Sequence, residues 1–402
     1  MKNSLKNLSA NVDNPKWNNI VSRQKPLYSR NMDTRDDFER DYTRIIHSNS
    51  YRRLKHKTQV FFSPDNDHIC TRIEHVTHVD SISYTIANYL GLNTELTKAI
   101  AVAHDLGHSP FGHKGERILS SLSKRDLGRT FWHEKNGLEL VDNVELLEDS
   151  ERYKQNLNLT YGVRDGIISH CGEIDENGLK PREEFIDLTG YSFPNQFAPY
   201  TWEACVVKVS DKISYIGRDI EDAITLGILD GHLSELSDLL KGNSDVTNLN
   251  NTNIINYLVT DLCQNSSPEK GICFSDAAFN LLNKIKAFNY KNIYLCDKLQ
   301  ASDRYFELVI TEIYNTLASS YDGKSFLSSA KALEKFYPKL SNSFYGFLEL
   351  YCANLDREKL KLRNNILFEN ENIDNFYQAI LYYISGMTDH FAMEMYQEII
   401  GF

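Results

Sequence analysis

Apolar residues recur at helical spacing along much of this chain, and no segment shows the sustained alternation of a half-buried β-strand. From Ile73 to Leu90 they fall three or four positions apart, and Gly91 stands where a helix commonly ends. The next segment, LNTELTKAIAVAHDLG, offers Asn93 or Thr94 as a helix cap. A further long amphipathic pattern runs from Thr201 to Leu229. The sequence therefore predicts an all-α fold.

The length of the chain and one polar break suggest its organisation. A chain of 402 residues is long for one hydrophobic core, so we expect one large or two fused helical units. The segment KGNSDVTNLNNTN has the Asn, Ser and Thr content of a loop. We predict a mobile N-terminal arm over residues 1–30, a core over 31–240, a linker over 241–253 and a helical C-terminal region over 254–402. The segment EFIDLTGYSF is the one place where a small β-hairpin is expected.

Charge and hydropathy exclude some classes of partner. The net charge of −11 argues against nucleic-acid binding as the main function, because binding to a phosphate backbone requires a basic face. The apolar runs are far shorter than the ~20 residues of a membrane-spanning helix, and the N-terminus has no apolar signal core. Seven scattered cysteines without a CxxC pair fit a reducing compartment. We therefore expect a cytoplasmic protein that does not bind membranes.

The segment AIAVAHDLGHSPFGHKGE places three histidines, an aspartate and a glutamate directly after an apolar helix. A core helix has no use for so many titratable groups. His104 and Asp105 stand at the predicted C-terminal end of that helix. Because neighbouring helical residues point about 100° apart, both side chains can reach one ion at the helix end. The pair is thus half of a candidate metal site.

Two further ligands come from other predicted helices. His75 shares the apolar face of its helix, although a lone histidine there is more often an ordinary core residue. Asp211 lies on the polar stripe of its helix, where pairing with Lys208 or Lys212 is the ordinary role of a carboxylate. Only the joint pattern stands out: two imidazoles and two carboxylates suit Mn, Fe, Co, Ni or Zn, and such an ion polarises a phosphoryl oxygen.

The order of these and other motifs resembles the HD-domain metal phosphohydrolases, and within them the deoxynucleoside triphosphate triphosphohydrolases, the dGTPase-like family. The resemblance runs from about Arg30 to Leu229. The family usually reads THS after its first metal-binding region, whereas this chain reads IEHVTHV there, with an additional histidine at position 78. The Arg72–His75 spacing favours His75 over His78 as the ligand. The matching motifs, in chain order, are YRRLKHKTQVF, TRIEH, AHDLGHSPFGHKGE, WHE, DGIISHCGE and VSDKISYIGRDIEDAI.

The resemblance implies a fold and a reaction. The fold is an HD-domain helical core with an additional helical C-terminal region. The reaction is metal-dependent hydrolysis of deoxynucleoside triphosphates, either dGTP or several of them, to a deoxynucleoside and inorganic triphosphate. The metal ligands that it implies are His75, His104, Asp105 and Asp211. The catalytic residues are His108, His113, Glu116 and His133. The substrate-binding residues are Gln59, Arg72, Lys212, Tyr215 and Asp219.

The family also implies cofactors and partners. We expect one divalent ion per site, Mn²⁺ in the first place, with Mg²⁺, Fe²⁺, Co²⁺, Ni²⁺ and Zn²⁺ as alternatives. The substrate is a deoxynucleoside triphosphate, an activating nucleotide is an open alternative, and the assembly is a homo-oligomer such as a tetramer or hexamer. The competing functions are another HD-type phosphohydrolase, either a phosphodiesterase or a stringent-response nucleotide hydrolase, and a nucleotide-binding sensor without turnover.

Two features have open interpretations. The basic run Arg52, Arg53, Lys55, His56 and Lys57 is either an ordinary solvated face or a site for a triphosphate or an effector nucleotide. His170 is either a wall of the active-site pocket or a core or capping residue, and the second role is the commoner one for a histidine.

Overall fold

The structure is a computed structural model that describes residues 2–27, 32–62, 66–171, 176–241, 251–353 and 355–401. The prediction of an all-α fold is confirmed, since helices dominate the described residues. Residues 28–31 and 242–250, where we placed the end of the arm and most of the linker, lie outside them. The helices are α1 (Trp17–Ile20), α2 (Asp37–His47), α3 (Asn49–Arg53), α4 (Arg72–Leu90), α5 (Thr94–Ala103), α6 (Gly112–Leu127), α7 (His133–Glu139), α8 (Tyr161–Ser169), α9 (Trp202–Thr225), α10 (Leu233–Lys241), α11 (Asn251–Asn265), α12 (Asp276–Asn289), α13 (Asp297–Ser319), α14 (Phe326–Ala332), α15 (Pro338–Glu349), α16 (Ile373–Ser385) and α17 (Asp389–Ile400).

Shorter elements complete the chain. In the described part of the chain, the strands are β1 (Leu146–Glu148) and β2 (Lys154–Asn156), which pair antiparallel with Leu146 opposite Asn156. The prediction of a β-hairpin in EFIDLTGYSF is wrong, because this segment contains a 3₁₀ turn over Leu188–Gly190. The Asp187 side chain caps the start of this turn by accepting a hydrogen bond from the Thr189 amide. Other 3₁₀ turns cover Lys6–Leu8, Leu54–His56 and Leu333–Lys335, and single π-turns cover Leu140–Val144 and Tyr290–Tyr294.

Local capping explains where the helices of the site begin and end. Helix α4 ends at Gly91, whose φ of +82° is the left-handed conformation that glycine adopts without strain. The Asn93 side chain accepts hydrogen bonds from the amides of Glu95 and Leu96 and so starts α5. Thr201 does the same for α9 through the amide of Ala204. These caps set where α4 ends and where α5 and α9 begin.

The first of two compact units comprises Met1–Thr43, Gln59–His104 and Leu159–Ser302. Helix α4 packs on α5 and α9, and α11 packs on α9. Their apolar faces bury one core that includes Ile86, Ile213 and Leu258. A mobile arm is the wrong description of residues 2–27, because Leu5 is buried in this core and the Ala10 amide donates to Glu203 Oε1 at 2.9 Å.

The second unit comprises Arg44–Thr58, Asp105–Asn158 and Asp303–Phe402. Helix α16 packs on α6, and α15 packs on α14, α16 and α17. The boundaries that we placed at residues 30, 240 and 253 stay a prediction, since the units divide the chain by its contacts and each draws on three segments. Among the described residues, no helix has the length and apolar character needed to cross a bilayer.

Candidate metal centre and histidine–carboxylate cluster

Three of the four predicted metal ligands come together in the first unit. His75 lies one turn into α4, His104 directly follows α5, and Asp211 lies midway along α9. Asp211 Oδ1 is 3.0 Å from His75 Nε2 and 3.9 Å from His104 Nε2. One nitrogen or oxygen from each residue lies within 4.8 Å of the others, close enough to hold one ion. We call these three residues the metal-ligand group.

The outer nitrogens of both histidines are engaged, which leaves the inner nitrogens for a metal. His104 Nδ1 is 2.7 Å from the Ala101 carbonyl, which can only accept, so this nitrogen carries the proton. His75 Nδ1 is 3.0 Å from Ser214 Oγ, which can accept in the same way. A proton on Nδ1 leaves a lone pair on Nε2, and the Nε2 atoms of the two rings lie 3.0 and 3.9 Å from Asp211 Oδ1. Metal-binding histidines are held by outer partners in this manner, so the donor set fits a divalent ion.

The fourth predicted ligand, Asp105, belongs to the second unit. It follows His104 directly in the chain, and its Oδ1 is 3.1 Å from His108 Nε2. Its role as a ligand therefore remains a proposal that rests on adjacency to His104 and on the resemblance.

The four predicted catalytic residues also meet, within the second unit. We call His108, His113, Glu116 and His133 the histidine–carboxylate cluster; their donor atoms lie within 4.8 Å of one another. Glu116 Oε2 is 3.2 Å from His113 Nδ1 and 3.1 Å from His133 Nδ1. The His108 and His133 rings stack at 3.8 Å. The His113 side chain is 58% exposed whereas that of His133 is 12% exposed, so His113 is the member that solvent or a ligand reaches most easily.

The charges in this cluster stabilise one another. Burial lowers the pKa of His133, but the Glu134 and Glu116 carboxylates outweigh burial and raise that pKa to about 10. Burial raises the pKa of Glu116, but His133 and His113 outweigh it and lower that pKa well below its usual range. At neutral pH the cluster thus contains an imidazolium and a carboxylate in contact.

The predicted substrate-binding residues all lie in the first unit. Arg72 opens α4 one turn before His75, is buried, and donates from NH2 to the Gln59 carbonyl at 3.4 Å. Gln59 Oε1 is buried and has no hydrogen-bond partner in the part of the chain that the structure describes. A buried amide oxygen in that state is an open acceptor for a ligand.

The other three substrate-binding residues follow Asp211 on α9. Tyr215 and Asp219 are four and eight positions beyond Asp211, so they share its face, and Lys212 is its buried neighbour. Sequence reasoning missed Tyr294, whose hydroxyl lies 2.5 Å from Asp219 Oδ2. No local signal marks this residue, because the contact joins α9 to a π-turn far along the chain.

The residues of the basic run have two different environments in the folded chain. Arg52, Lys55 and His56 are exposed, as on a solvated face. Arg53 pairs with Glu145 at 2.6 Å, and the buried Lys57 donates to the carbonyl oxygens of His108 and Ser385.

His170, interpreted above as either a wall of the active-site pocket or a core or capping residue, has one contact that bears on each role. Its Nδ1 is 2.6 Å from the Ile167 carbonyl, as in a helix-end cap, and its ring lies edge-on to His104 with the centroids 5.0 Å apart.

A second residue that sequence reasoning missed is Asp389, at the start of α17. Its Oδ1 accepts from the Phe111 amide at 2.9 Å and its Oδ2 accepts from the Thr58 amide at 2.8 Å. Phe111 lies between His108 and His113 and has a φ of +62°, which is strained for a side chain of this size. Asp389 therefore holds the loop that carries the cluster histidines in an uncommon conformation.

Comparison with known proteins agrees with this geometry. The HD domain family matches residues 72–216, which contain His75, His104 and Asp211. A deoxyguanosinetriphosphate triphosphohydrolase-like protein of Caldanaerobacter subterraneus subsp. tengcongensis is 32% identical over 378 residues, covering 94% of this chain and 89% of the relative. Proteins of the same description from Desulfatibacillum aliphaticivorans and Rickettsia bellii are 31% and 30% identical and cover 91% of this chain, over 88% and 92% of their own lengths.

The expected HD-domain core is confirmed by the family match, and the chain is an HD-type phosphohydrolase. The identity and coverage of these relatives show that the chain belongs to the deoxyguanosinetriphosphate triphosphohydrolase-like family of HD-domain proteins.

Proposed function

We propose that this protein hydrolyses deoxynucleoside triphosphates, dGTP or several of them, to a deoxynucleoside and inorganic triphosphate. The observation that carries the proposal is the metal-ligand group, in which the outer nitrogens of His75 and His104 are engaged and the inner ones face Asp211. The names of the relatives support the choice of substrate. Asp105 is the fourth ligand in this proposal.

The substrate-binding residues provide charges and hydrogen bonds that suit such a molecule. A triphosphate carries about four negative charges, and a guanidinium can contact it through two parallel hydrogen bonds. Arg72 and Lys212 supply positive charge on α4 and α9, the helices that also carry His75 and Asp211. Gln59 and Asp219 are assigned to the sugar 3′-hydroxyl, which can donate to a carboxylate and accept from an amide.

Bond cleavage requires a proton for the leaving group. Water adds to the α-phosphorus, the bond from phosphorus to the 5′-oxygen breaks, and the departing alkoxide takes up a proton. His133 holds a proton at neutral pH beside Glu116, and His113 shares the same carboxylate while remaining exposed. The cluster can therefore hold the proton for the 5′-oxygen and take one from the attacking water. A divalent ion, when bound, supplies Lewis-acid polarisation of a phosphoryl oxygen.

The remaining expectations belong to this proposal. Mn²⁺ is the first ion to test, with Mg²⁺, Fe²⁺, Co²⁺, Ni²⁺ and Zn²⁺ as alternatives. A homo-oligomer, an activating nucleotide and a cytoplasmic location are parts of the proposal that the resemblance supports.

The test is product analysis. The purified protein is incubated with Mn²⁺ and each deoxynucleoside triphosphate, singly and mixed, and the products are separated by anion exchange. We expect deoxynucleoside and triphosphate from the native protein and neither from His104→Ala. Turnover that occurs only in certain mixtures would identify an activating nucleotide. Monophosphate with diphosphate would indicate a different HD-type reaction. Tight nucleotide binding without turnover under any metal would overturn the proposal in favour of a sensor.

A further inference from the structure

The second unit contains an open pocket of about 450 Å³ whose lining includes none of the residues of the cluster or the metal-ligand group. One wall is formed by α3 and the β1–β2 hairpin, and the other by α15 and the turn between α16 and α17. Its volume is in the range of sites that bind small organic molecules.

The polar groups of the pocket include a buried donor that no described residue satisfies. Arg53 donates from NH2 to Glu145 Oε1 at 2.6 Å and to Ser50 Oγ at 2.9 Å, while its buried Nε has no hydrogen-bond partner among the described residues. Glu145 also accepts from the Asn49 amide and the Ser50 hydroxyl, so it has little capacity left for a ligand. Arg53 thus brings to the pocket lining a buried N–H group that no described residue pairs with.

The charges of the lining exclude a strongly anionic occupant. The formal charges of Arg53 and Lys154 are balanced by those of Glu145 and Glu148, and Arg53 is already paired. A triphosphate would meet two carboxylates here without surplus positive charge. The fitting ligand is neutral, with a ring acceptor for Arg53 and an amino group for Glu148.

The opposite wall is aromatic. The Phe347 ring lies 5.0 Å from Tyr351 and 5.6 Å from Tyr383, and all three line the pocket. Such surfaces bind planar rings by stacking and by burial of apolar area.

We propose that this pocket binds a neutral nucleoside, with its base between the aromatic wall and the Arg53 side chain. The base supplies the planar ring and the acceptor. The choice of a deoxynucleoside as probe rests on the proposed function, because that reaction releases one.

The pocket shares a structural element with the loop of the cluster. The turn Gly386–Thr388 lines the pocket. On its N-terminal side, the Ser385 carbonyl accepts from Lys57 Nζ at 2.8 Å, and Lys57 also donates to the His108 carbonyl. On its C-terminal side, Asp389 accepts from the Phe111 amide. A nucleoside resting on this turn therefore acts on both supports of the His108–His113 loop.

The test measures binding of 2′-deoxyguanosine to the full-length, metal-free protein by calorimetry, without any turnover. Ser343→Trp places a large side chain in the pocket, and we expect an affinity loss of at least about 10-fold. Phe347→Leu keeps an apolar side chain but removes one ring of the aromatic wall, and should cost about 3- to 10-fold. The matched control is Asn342→Trp on the adjacent exposed position of α15, which should leave affinity within about 2-fold. Circular dichroism shows whether Ser343→Trp folds.

Binding that survives in His104→Ala but falls in both pocket variants supports the pocket, whether or not the protein turns over nucleotides. Equal affinity in the native protein, Ser343→Trp and Phe347→Leu would overturn it. Binding lost in His104→Ala and retained in Ser343→Trp would place the nucleoside at the metal-ligand group instead.

NMR tests whether the turn Gly386–Thr388 links the pocket to the His108–His113 loop. In protein with ¹³C-labelled histidine, the His108 resonance should shift on nucleoside addition in the native protein and remain fixed in Ser343→Trp. A His108 resonance that does not move in the native protein would refute the link to the loop.

Discussion

His75 Nε2 lies 3.0 Å from Asp211 Oδ1, and the opposite nitrogen of the same ring lies 3.0 Å from Ser214 Oγ. Asp211 and Ser214 are three positions apart on α9, so one helix face provides both the acidic group and the outer partner that orients the histidine. This arrangement separates two effects that mutation can test: loss of a ligand and loss of its orientation.

The first prediction concerns Ser214→Ala. Removal of an outer partner leaves the ligand in place but frees its ring to rotate, and changes of this kind typically cost about 10- to 100-fold in metal affinity. Equilibrium dialysis with Mn²⁺ and with Zn²⁺ measures the effect. The matched control is Ser210→Ala, one turn earlier on α9, because the Ser210 hydroxyl is buried without a hydrogen bond to any described residue. Equal affinities in the two variants would show that Ser214 does not orient a metal ligand.

Local sequence signals were sufficient to predict the helices that carry this site. The caps at Gly91 and Asn93 and the apolar spacing of α4 and α9 act within a few residues, so they can be read without the fold. The β1–β2 hairpin was missed because strands of three residues have no room for an alternating pattern. The 3₁₀ turn at Leu188–Gly190 was mistaken for a hairpin because a short segment that turns at a glycine is compatible with both conformations.

Contacts between distant segments could not be predicted in this way. Tyr294 and Asp389 each bond to a group far away in the sequence, and neither stands in a motif. The geometry of His108, His113, Glu116 and His133 likewise depends on α6 and α7 meeting, although family resemblance had selected these residues. Spacing alone predicted only the His113–Glu116 contact, because three positions on a helix bring side chains together.

The second prediction concerns Asp389→Asn. The Phe111 and Thr58 amides donate to different oxygens of the carboxylate, so in the asparagine one of these two amides faces an NH2 group, which cannot accept. The cost of an unsatisfied buried donor is about 1–3 kcal/mol, and we expect kcat to fall by roughly 10-fold or more as the strained loop relaxes. Mn²⁺ affinity should stay within about 2-fold, because the metal-ligand group contains none of these residues. The exposed Asp374→Asn is the control. A loss of metal affinity equal to the loss of kcat would contradict a role confined to the loop.

The third prediction concerns Tyr294→Phe. The Tyr294 hydroxyl donates to Asp219, the residue proposed to hold the sugar 3′-hydroxyl, so its loss frees the carboxylate to turn away. A hydrogen bond to a charged group contributes about 1.5–3 kcal/mol, which corresponds to a fall in kcat/KM of roughly 10- to 100-fold. The fall in kcat/KM should be smaller for a 2′,3′-dideoxynucleoside triphosphate, because this substrate lacks the 3′-hydroxyl that Asp219 is proposed to hold. Tyr290→Phe is the control, since Tyr290 is 60% exposed on the same turn. Equal losses on both substrates would indicate a general structural effect.

The fourth prediction concerns the protonation of His133. Burial lowers the pKa of His133, while Glu134 and Glu116 more than compensate and raise it to about 10, above the ordinary value of 6.5. Because the folded-state pKa is the higher one, the ion pair stabilises the fold fully below about pH 6.5, and this contribution disappears as the pH rises through about 10. NMR of ¹³C-labelled histidine, assigned with His133→Gln, should show an imidazolium at pH 8, whereas burial lowers the pKa of His78 so that it is neutral there.

Removal of each neighbouring carboxylate tests what raises the pKa of His133. Glu134→Gln and Glu116→Gln should each lower the pKa of His133, because either change removes a negative charge that outweighs burial. Glu369→Gln, at an exposed position of the same unit, should leave it unchanged. If His133 keeps its proton, the alkaline limb of kcat/KM should move to lower pH in the two cluster variants and not in the control. A His133 that titrates near 6.5 in the native protein would show that it is neutral at working pH, and His113 would then have to hold the proton for the leaving group.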